Sequence, residues 1–223
     1  MSIARSSLHS WRLVPLAVVA ALPLWADIID RIAVSVATRV ITTSDLDREI
    51  RVTSFLNGVK PDFSSAAKRA VAEKMVEQKL IQRELETSRY PTPSASEVQP
   101  ILDDFRKKQF PTDDEYRRAL AEYGITEQQV KDELLWQRTM LRFIDVRFRP
   151  GIRVTEQEIR DDFDKVVAPA AMAARPGETP VFEEYHDQIE EKLIGDRVDK
   201  ALDAWLKEMR KRTDIVFHDE ALR

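Results

Sequence analysis

Cysteine is absent from the 223-residue chain, and glycine and histidine are scarce, with five and three copies. Without cysteine, a disulfide framework, thiol chemistry and cysteine–zinc sites are all excluded. The few glycines form no glycine-rich phosphate-binding loop, and the sequence has no Gly-x-Ser-x-Gly nucleophile motif. The fold must therefore depend on packing alone, and no nucleotide is expected to bind.

The titratable residues form no catalytic pattern either. His186 lies among acids in the segment EEYHDQIEE, and acids three or four positions away on a helix can complete a metal site. Acids are frequent throughout the chain, however, so we interpret this segment as a solvated helix face. Adjacent carboxylates such as Asp103 and Asp104 diverge on a helix. We therefore expect a protein that is not an enzyme and that uses no metal or cofactor.

The first 26 residues have the layout of a secretory signal peptide. Arg5 and Arg12 precede an apolar run from Leu13 to Trp25, and the small residue Ala26 comes just before the first acid. The run is too short to span a bilayer, which needs about 20 apolar residues. We expect cleavage of residues 1–26, export to the periplasm and no stable membrane anchor afterwards.

The formal net charge of the chain is −4, and it becomes more negative when the two arginines of the signal are removed. Nucleic-acid-binding proteins carry a basic stripe that neutralises phosphates. This composition therefore argues against a nucleic-acid partner.

Residues 27–223 read as a single, mainly α-helical domain with a small sheet. Two short strands, at Ile32–Val36 and Val40–Thr42, predict an N-terminal hairpin, and Asp214–His218 is the other strand candidate. An isolated hairpin is barely stable, so we expect the C-terminal strand to complete a three-stranded sheet. An Ala/Pro-rich linker is predicted over 168–180. Helix starts are predicted at five Ser/Thr-x-x-acid/Gln caps, namely Ser44–Asp47, Ser94–Glu97, Thr112–Glu115, Thr126–Gln129 and Thr155–Glu158.

Aromatic residues and methionine concentrate in the middle of the chain, between Pro91 and Phe148. Most should be core, but such residues also build adaptable surfaces for unspecific apolar ligands. Trp136 and Met140 lie four residues apart, off the helix face set by Leu134 and Leu141. We therefore predict a peptide-binding groove formed by Phe105, Phe110, Tyr116, Tyr123, Trp136, Met140 and Phe143.

Four segments in order resemble the N-terminal chaperone region of SurA-type periplasmic proteins, which are relatives of parvulin-type peptidyl-prolyl isomerases and of the foldase PrsA. They are DRIAVSVATRVITTSDLDREI, AVAEKMVEQKLIQRELE, the segment from YGITEQQVKDELLWQRTM to TEQEIRDDF, and the closing FEEYHDQIEEKLIGDRVDKALDAWLKEMRKRTDIVFHD. In isomerase-bearing relatives, the catalytic domain lies between the central segment and the closing helix. Here only residues 168–180 occupy that place, so the resemblance implies the chaperone scaffold without the isomerase.

The sequence therefore favours a periplasmic chaperone that binds unfolded, apolar-rich polypeptides, with outer-membrane proteins as its clients. One alternative is a scaffolding protein that binds a single folded partner. The other is a peptidyl-prolyl isomerase, which the absence of a domain-sized insert disfavours. The central apolar surface would also suit a homodimer.

Overall fold

The computed structural model describes residues 30–223, so the signal peptide predicted over residues 1–26 lies outside the described part of the chain. Within the described part, the protein is mainly α-helical with one small antiparallel sheet, as predicted. The elements in chain order are β1 (Ile32–Val36), β2 (Arg39–Thr42), α1 (Thr43–Asn57), α2 (Ser65–Thr87), α3 (Gln99–Gln109), α4 (Asp113–Tyr123), α5 (Glu127–Arg147), α6 (Glu156–Asp162), α7 (Ala168–Ala174), α8 (Phe182–Lys211) and β3 (Ile215–Phe217).

The C-terminal strand completes the sheet, which confirms the prediction from the hairpin. The strand order is β2-β1-β3, and β3 pairs antiparallel with β1 through Ser35 opposite Val216. A register shift in β1 lies between Ile32 and Val34, so that the consecutive residues Ala33 and Val34 are both fully buried. The two ends of the described chain are therefore held together in one sheet.

The first hydrophobic cluster joins this sheet to the long helices. One face of α2 supplies Met75, Val76, Leu80 and Ile81, as its helical periodicity predicted. The cluster also takes in the sheet residues Val34 and Ile41, together with Phe143 of α5, Leu206 of α8 and the C-terminal Leu222. The last long helix thus packs back onto the first ones.

Two further clusters lie beside the first. The second, under α1, α3, α4 and the N-terminal half of α5, contains Phe55, Leu102, Tyr116 and Val130. The third joins the N-terminal half of α8 to α6 and α7 and contains Phe163, Phe182 and Ile189. Because α5 and α8 each contribute to two clusters, these two helices connect the three parts of the core.

Four of the five predicted helix starts lie where the sequence places them. Thr112, Thr126 and Thr155 cap α4, α5 and α6, and Ser94 with Glu97 forms a capping box on the short 3₁₀ turn before α3. The predicted cap of α1, Ser44, was wrong by two residues. The cap of α1 is Thr42, whose hydroxyl accepts from the Asp45 N–H while the Asp45 carboxylate accepts from the Thr42 N–H.

The predicted linker over 168–180 is only partly a linker. Residues 168–174 form α7, and a π-helical turn over Phe163–Val167 joins α6 to α7 in one unbroken helical stretch. The prediction was wrong for these seven residues because alanine, the best helix former, outweighs a proline that occupies the first turn. Only the following segment, before α8, is irregular. Among residues 30–223, no helix combines the length and the hydrophobicity needed to cross a membrane.

Candidate functional site

The structure separates the seven residues predicted to form one groove. Tyr116 and Phe143 are core residues, with only 2% and 1% of their surface exposed, so most of each side chain packs inside the protein. Tyr116 lies in the second cluster, where burial raises the pKa of its phenol to about 12. Phe143 lies in the first cluster between Tyr90, Phe148 and Trp205. Phe143 is therefore not available to a polypeptide, whereas Tyr116 lines an open hollow together with Arg106 and Phe110.

Three of the remaining residues meet in a small aromatic pocket. Phe105, Phe110 and Tyr123 are partly buried around Phe55, with ring centroids 5.4–5.7 Å from the Phe55 ring. The hollow beside them has a volume of about 250 Å³. These rings cover much of one another's surface through stacked and edge-to-face contacts. The pocket is therefore the exposed margin of the second core cluster and holds at most one side chain of a ligand.

The last two predicted residues, Trp136 and Met140, pack against the first cluster. Trp136 also lines a separate polar cleft between α1, α2 and α5. Leu141, which the sequence analysis placed on the inner face of α5, is instead 53% exposed. Leu134, which defined the same predicted face, is 8% exposed in the second cluster, so the predicted inner face of α5 was wrong for Leu141 alone.

A larger and more apolar hollow than these two lies between α8 and the helical stretch that ends in α7. We call it the α7–α8 groove. It is open to solvent and has a volume of about 490 Å³. Its apolar lining consists of Val166, Val167, Ala170, Ala171, Ala174, Tyr185 and Ile189, and its polar lining of Arg175, Gln188 and Lys192.

Small side chains create this groove. On α7, Ala170 and Ala171 face α8 where longer side chains would fill the space, and Val166 remains 52% exposed. Ile189 forms a fully packed part of the wall, with 2% of its surface exposed. The groove therefore exposes apolar surface to a ligand, while the core residues beneath it remain packed.

Polar contacts fix α6 against α8 at the base of the groove. Lys192 of α8 donates to Asp162 of α6 at 2.9 Å, and Arg197 pairs with Glu158. Phe163 and Phe182 meet edge to face with centroids 5.3 Å apart. These links fix α6 and the start of the π-helical turn against α8, next to the groove.

His186 of α8 also links α8 to α6. Its ring lies 2.9 Å from the Asp187 carboxylate and 3.0 Å from the Glu156 carboxylate of α6. Hydrogen bonds to Asp187 and then to Glu156 raise the pKa of His186. Possible ligand atoms of His186, Asp187 and Glu190 lie within 4.8 Å of one another, but the histidine is engaged as a link between two helices. The solvated helix face of the sequence analysis thus has a structural role.

Sequence reasoning missed the α7–α8 groove because it treated residues 168–180 as a linker. The available signal was the spacing of Val166 and Ala170, and of Val167 and Ala171, four residues apart on a helix. What the spacing cannot supply is the distance to α8, which is about 20 residues further along the chain.

Neither a protein-family model nor a curated protein matches this chain.

Proposed function

We propose that this protein is a chaperone that binds unfolded, apolar-rich polypeptides without transforming them. The observation that carries the proposal is the α7–α8 groove, an open and largely apolar hollow of about 490 Å³. Its volume falls within the roughly 300–1,000 Å³ of ordinary ligand pockets. Its lining is mostly aliphatic, which suits contact with many sequences better than recognition of one.

The expected affinity is modest. Burying one large apolar side chain contributes about 1.5–3 kcal/mol, and ordering an unfolded segment offsets much of that gain. One or two side chains in the groove would therefore be held reversibly. A chaperone that releases its client without ATP needs binding of this strength.

Export to the periplasm and outer-membrane clients are parts of the same proposal. They are supported by the signal-like residues 1–26 and by the four segments that resemble SurA-type chaperones. The acidic net charge favours solubility of the complex.

The test is suppression of aggregation of an unfolded outer-membrane barrel protein by the purified protein in several-fold excess. Val166→Glu and Ala170→Glu place a charge in the groove at exposed positions, so folding should be preserved. We expect each to weaken suppression at least about fivefold, or about 1 kcal/mol, since a client side chain that docks in the groove would have to desolvate the new carboxylate. Val59→Glu, at an equally exposed valine outside the groove, is the matched control.

Normal activity of both groove variants would contradict the assignment of the groove. Retrieval of one stoichiometric folded partner, without any effect on aggregation, would favour a scaffolding role. Faster proline-limited refolding in the presence of the protein would favour an isomerase.

A further inference from the structure

A second hollow, lined by carboxylates, lies between α1, α2 and α5. We call it the acidic cleft. It has a volume of about 330 Å³, and its lining includes Glu49, Met75, Gln78, Glu133 and Trp136. It does not overlap the α7–α8 groove.

Glu133 is buried in this cleft without a cation bound to it. Only 8% of its surface is exposed. One carboxylate oxygen accepts from the Gln137 amide at 2.9 Å, and the other has no hydrogen-bond partner among residues 30–223. Charged side chains are rarely buried unless they are paired.

Glu49 is the second carboxylate of the cleft, with a side chain that is 12% exposed. One of its oxygens receives both the Lys74 ammonium at 3.1 Å and the Gln78 amide at 3.5 Å. Its other oxygen has no partner in the described chain. Lys74 therefore forms an ion pair with Glu49 and affects Glu133 only through its nearby charge.

The pKa of Glu133 reflects its burial near a second carboxylate. Burial first, and then the nearby charge of Glu49, raise the pKa of Glu133. Arg48 and Lys79 also line the cleft, but Arg48 is paired with Asp45, and neither forms an ion pair with Glu133 within the described chain. A cation that entered would offset the negative charge of the two glutamates.

We propose that the acidic cleft binds a basic side chain, a guanidinium or an ammonium, of a polypeptide. Glu133 and Glu49 are its ion-pair partners, and Trp136 supplies an aromatic surface for the cation and its aliphatic stem. The proposal rests on the proposed function and deepens it, because it gives the clients a basic residue in addition to their apolar ones. A divalent metal suits the cleft less well, because the described carboxylates and histidines that could share an ion are His186, Asp187 and Glu190 on α8.

The experiment compares two fluorescent peptides by anisotropy. Both contain apolar residues around a central position, which is arginine in one peptide and citrulline, its neutral isostere, in the other. We expect the arginine peptide to bind about tenfold more tightly at low salt, because a hydrogen bond between two charged groups is stronger than one between a carboxylate and a neutral group. The difference should shrink as salt is added.

Glu133→Gln should abolish the preference for arginine. The variant is expected to fold, since glutamine keeps the shape and the hydrogen bond with Gln137 and removes a buried charge. Glu122→Gln, at an exposed position on α4, changes the net charge equally and is the matched control.

Equal binding of the two peptides would overturn the proposal, as would a preference that survives in Glu133→Gln. Saturable binding of Ca²⁺ or Mg²⁺ that is lost in Glu133→Gln would also overturn it. Failure of the proposed function is a separate result, because it would appear as loss of all peptide binding and of aggregation suppression, with or without a basic residue.

Discussion

At the scale of single residues, two positions are unusual, one for its backbone conformation and one for the charges around its side chain. Ala37, in the two-residue loop between β1 and β2, has a φ of 51°, and it is the one non-glycine residue with positive φ among residues 30–223. Its N–H donates to the Asp214 carbonyl at 2.8 Å, which ties the loop to the segment before β3. His186 is the other position, because its ring serves two carboxylates of different helices.

The loop predicts a stabilising substitution. A left-handed conformation costs an alanine about 1–2 kcal/mol, whereas asparagine adopts it readily. Ala37→Asn should therefore raise the free energy of unfolding by about 0.5–1 kcal/mol, and Ala37→Val should lower it by at least about 1 kcal/mol. Urea unfolding measures both. Thr38→Asn, at the neighbouring position without positive φ, should change little, and equal effects at 37 and 38 would contradict the assignment.

His186 predicts a pH dependence of the contact between α6 and α8. Its folded-state pKa is raised above the ordinary histidine value of 6.5, so the contact is fully stabilised below pH 6.5 and weakens as the pH rises through the folded-state pKa. NMR titration of the ring protons should show this directly. Asp187→Asn and Glu156→Gln should each lower the pKa, whereas the distant Glu208→Gln should not. A ring that titrates below pH 6.5 in the unmodified protein would contradict the prediction.

At the scale of elements, helix starts were the most reliable feature of the sequence, and the exception is informative. Both Thr42-x-x-Asp45 and Ser44-x-x-Asp47 satisfy the pattern of a capping box. The structure uses the first, because Thr42 ends β2 in extended conformation and α1 follows without a loop. Asp30 then supports Ser44 from outside, accepting its N–H at 3.1 Å, and hydrogen bonds lower the pKa of Asp30 to about 2.

The two candidate caps can be separated by alanine substitution. Thr42→Ala removes the capping hydroxyl and should cost about 1 kcal/mol. Ser44→Ala lies inside the first turn at an exposed position and should be neutral or slightly stabilising, since alanine is the better helix former. Thermal unfolding of the two variants is the measurement. The reverse order of stability would place the cap at Ser44.

At the scale of the whole molecule, the C-terminal segment closes the first cluster. Leu222 is 4% exposed within that cluster, and α2 holds the segment through Arg69, which pairs with Asp219 at 2.8 Å and lies over the Phe217 ring. The sheet, α2, α5 and α8 therefore depend on residues that follow the last helix.

This closure predicts a strong effect of changes at the very end of the chain. Leu222→Ala should lower the free energy of unfolding by about 2–5 kcal/mol, the usual cost of a cavity in a core. Deletion of residues 213–223 should lower it further, since β3 is lost as well. Val216→Ala, on the outer face of the sheet with 44% of the residue exposed, should cost under about 1 kcal/mol. An unchanged melting temperature on deletion would exclude the closing role.

The sequence by itself determined the helical class, the N-terminal hairpin, the C-terminal strand and most helix starts, because these depend on residues within a few positions of one another. Only the tertiary structure decided which apolar residues remain accessible. Tyr116 and Phe143 are buried because other elements cover them, whereas Val166 and Ala170 line a groove because α8 passes at a distance that small alanine side chains leave unfilled. Periodicity identifies the apolar face of a helix, but the distance to a partner helix depends on the packing of the whole chain.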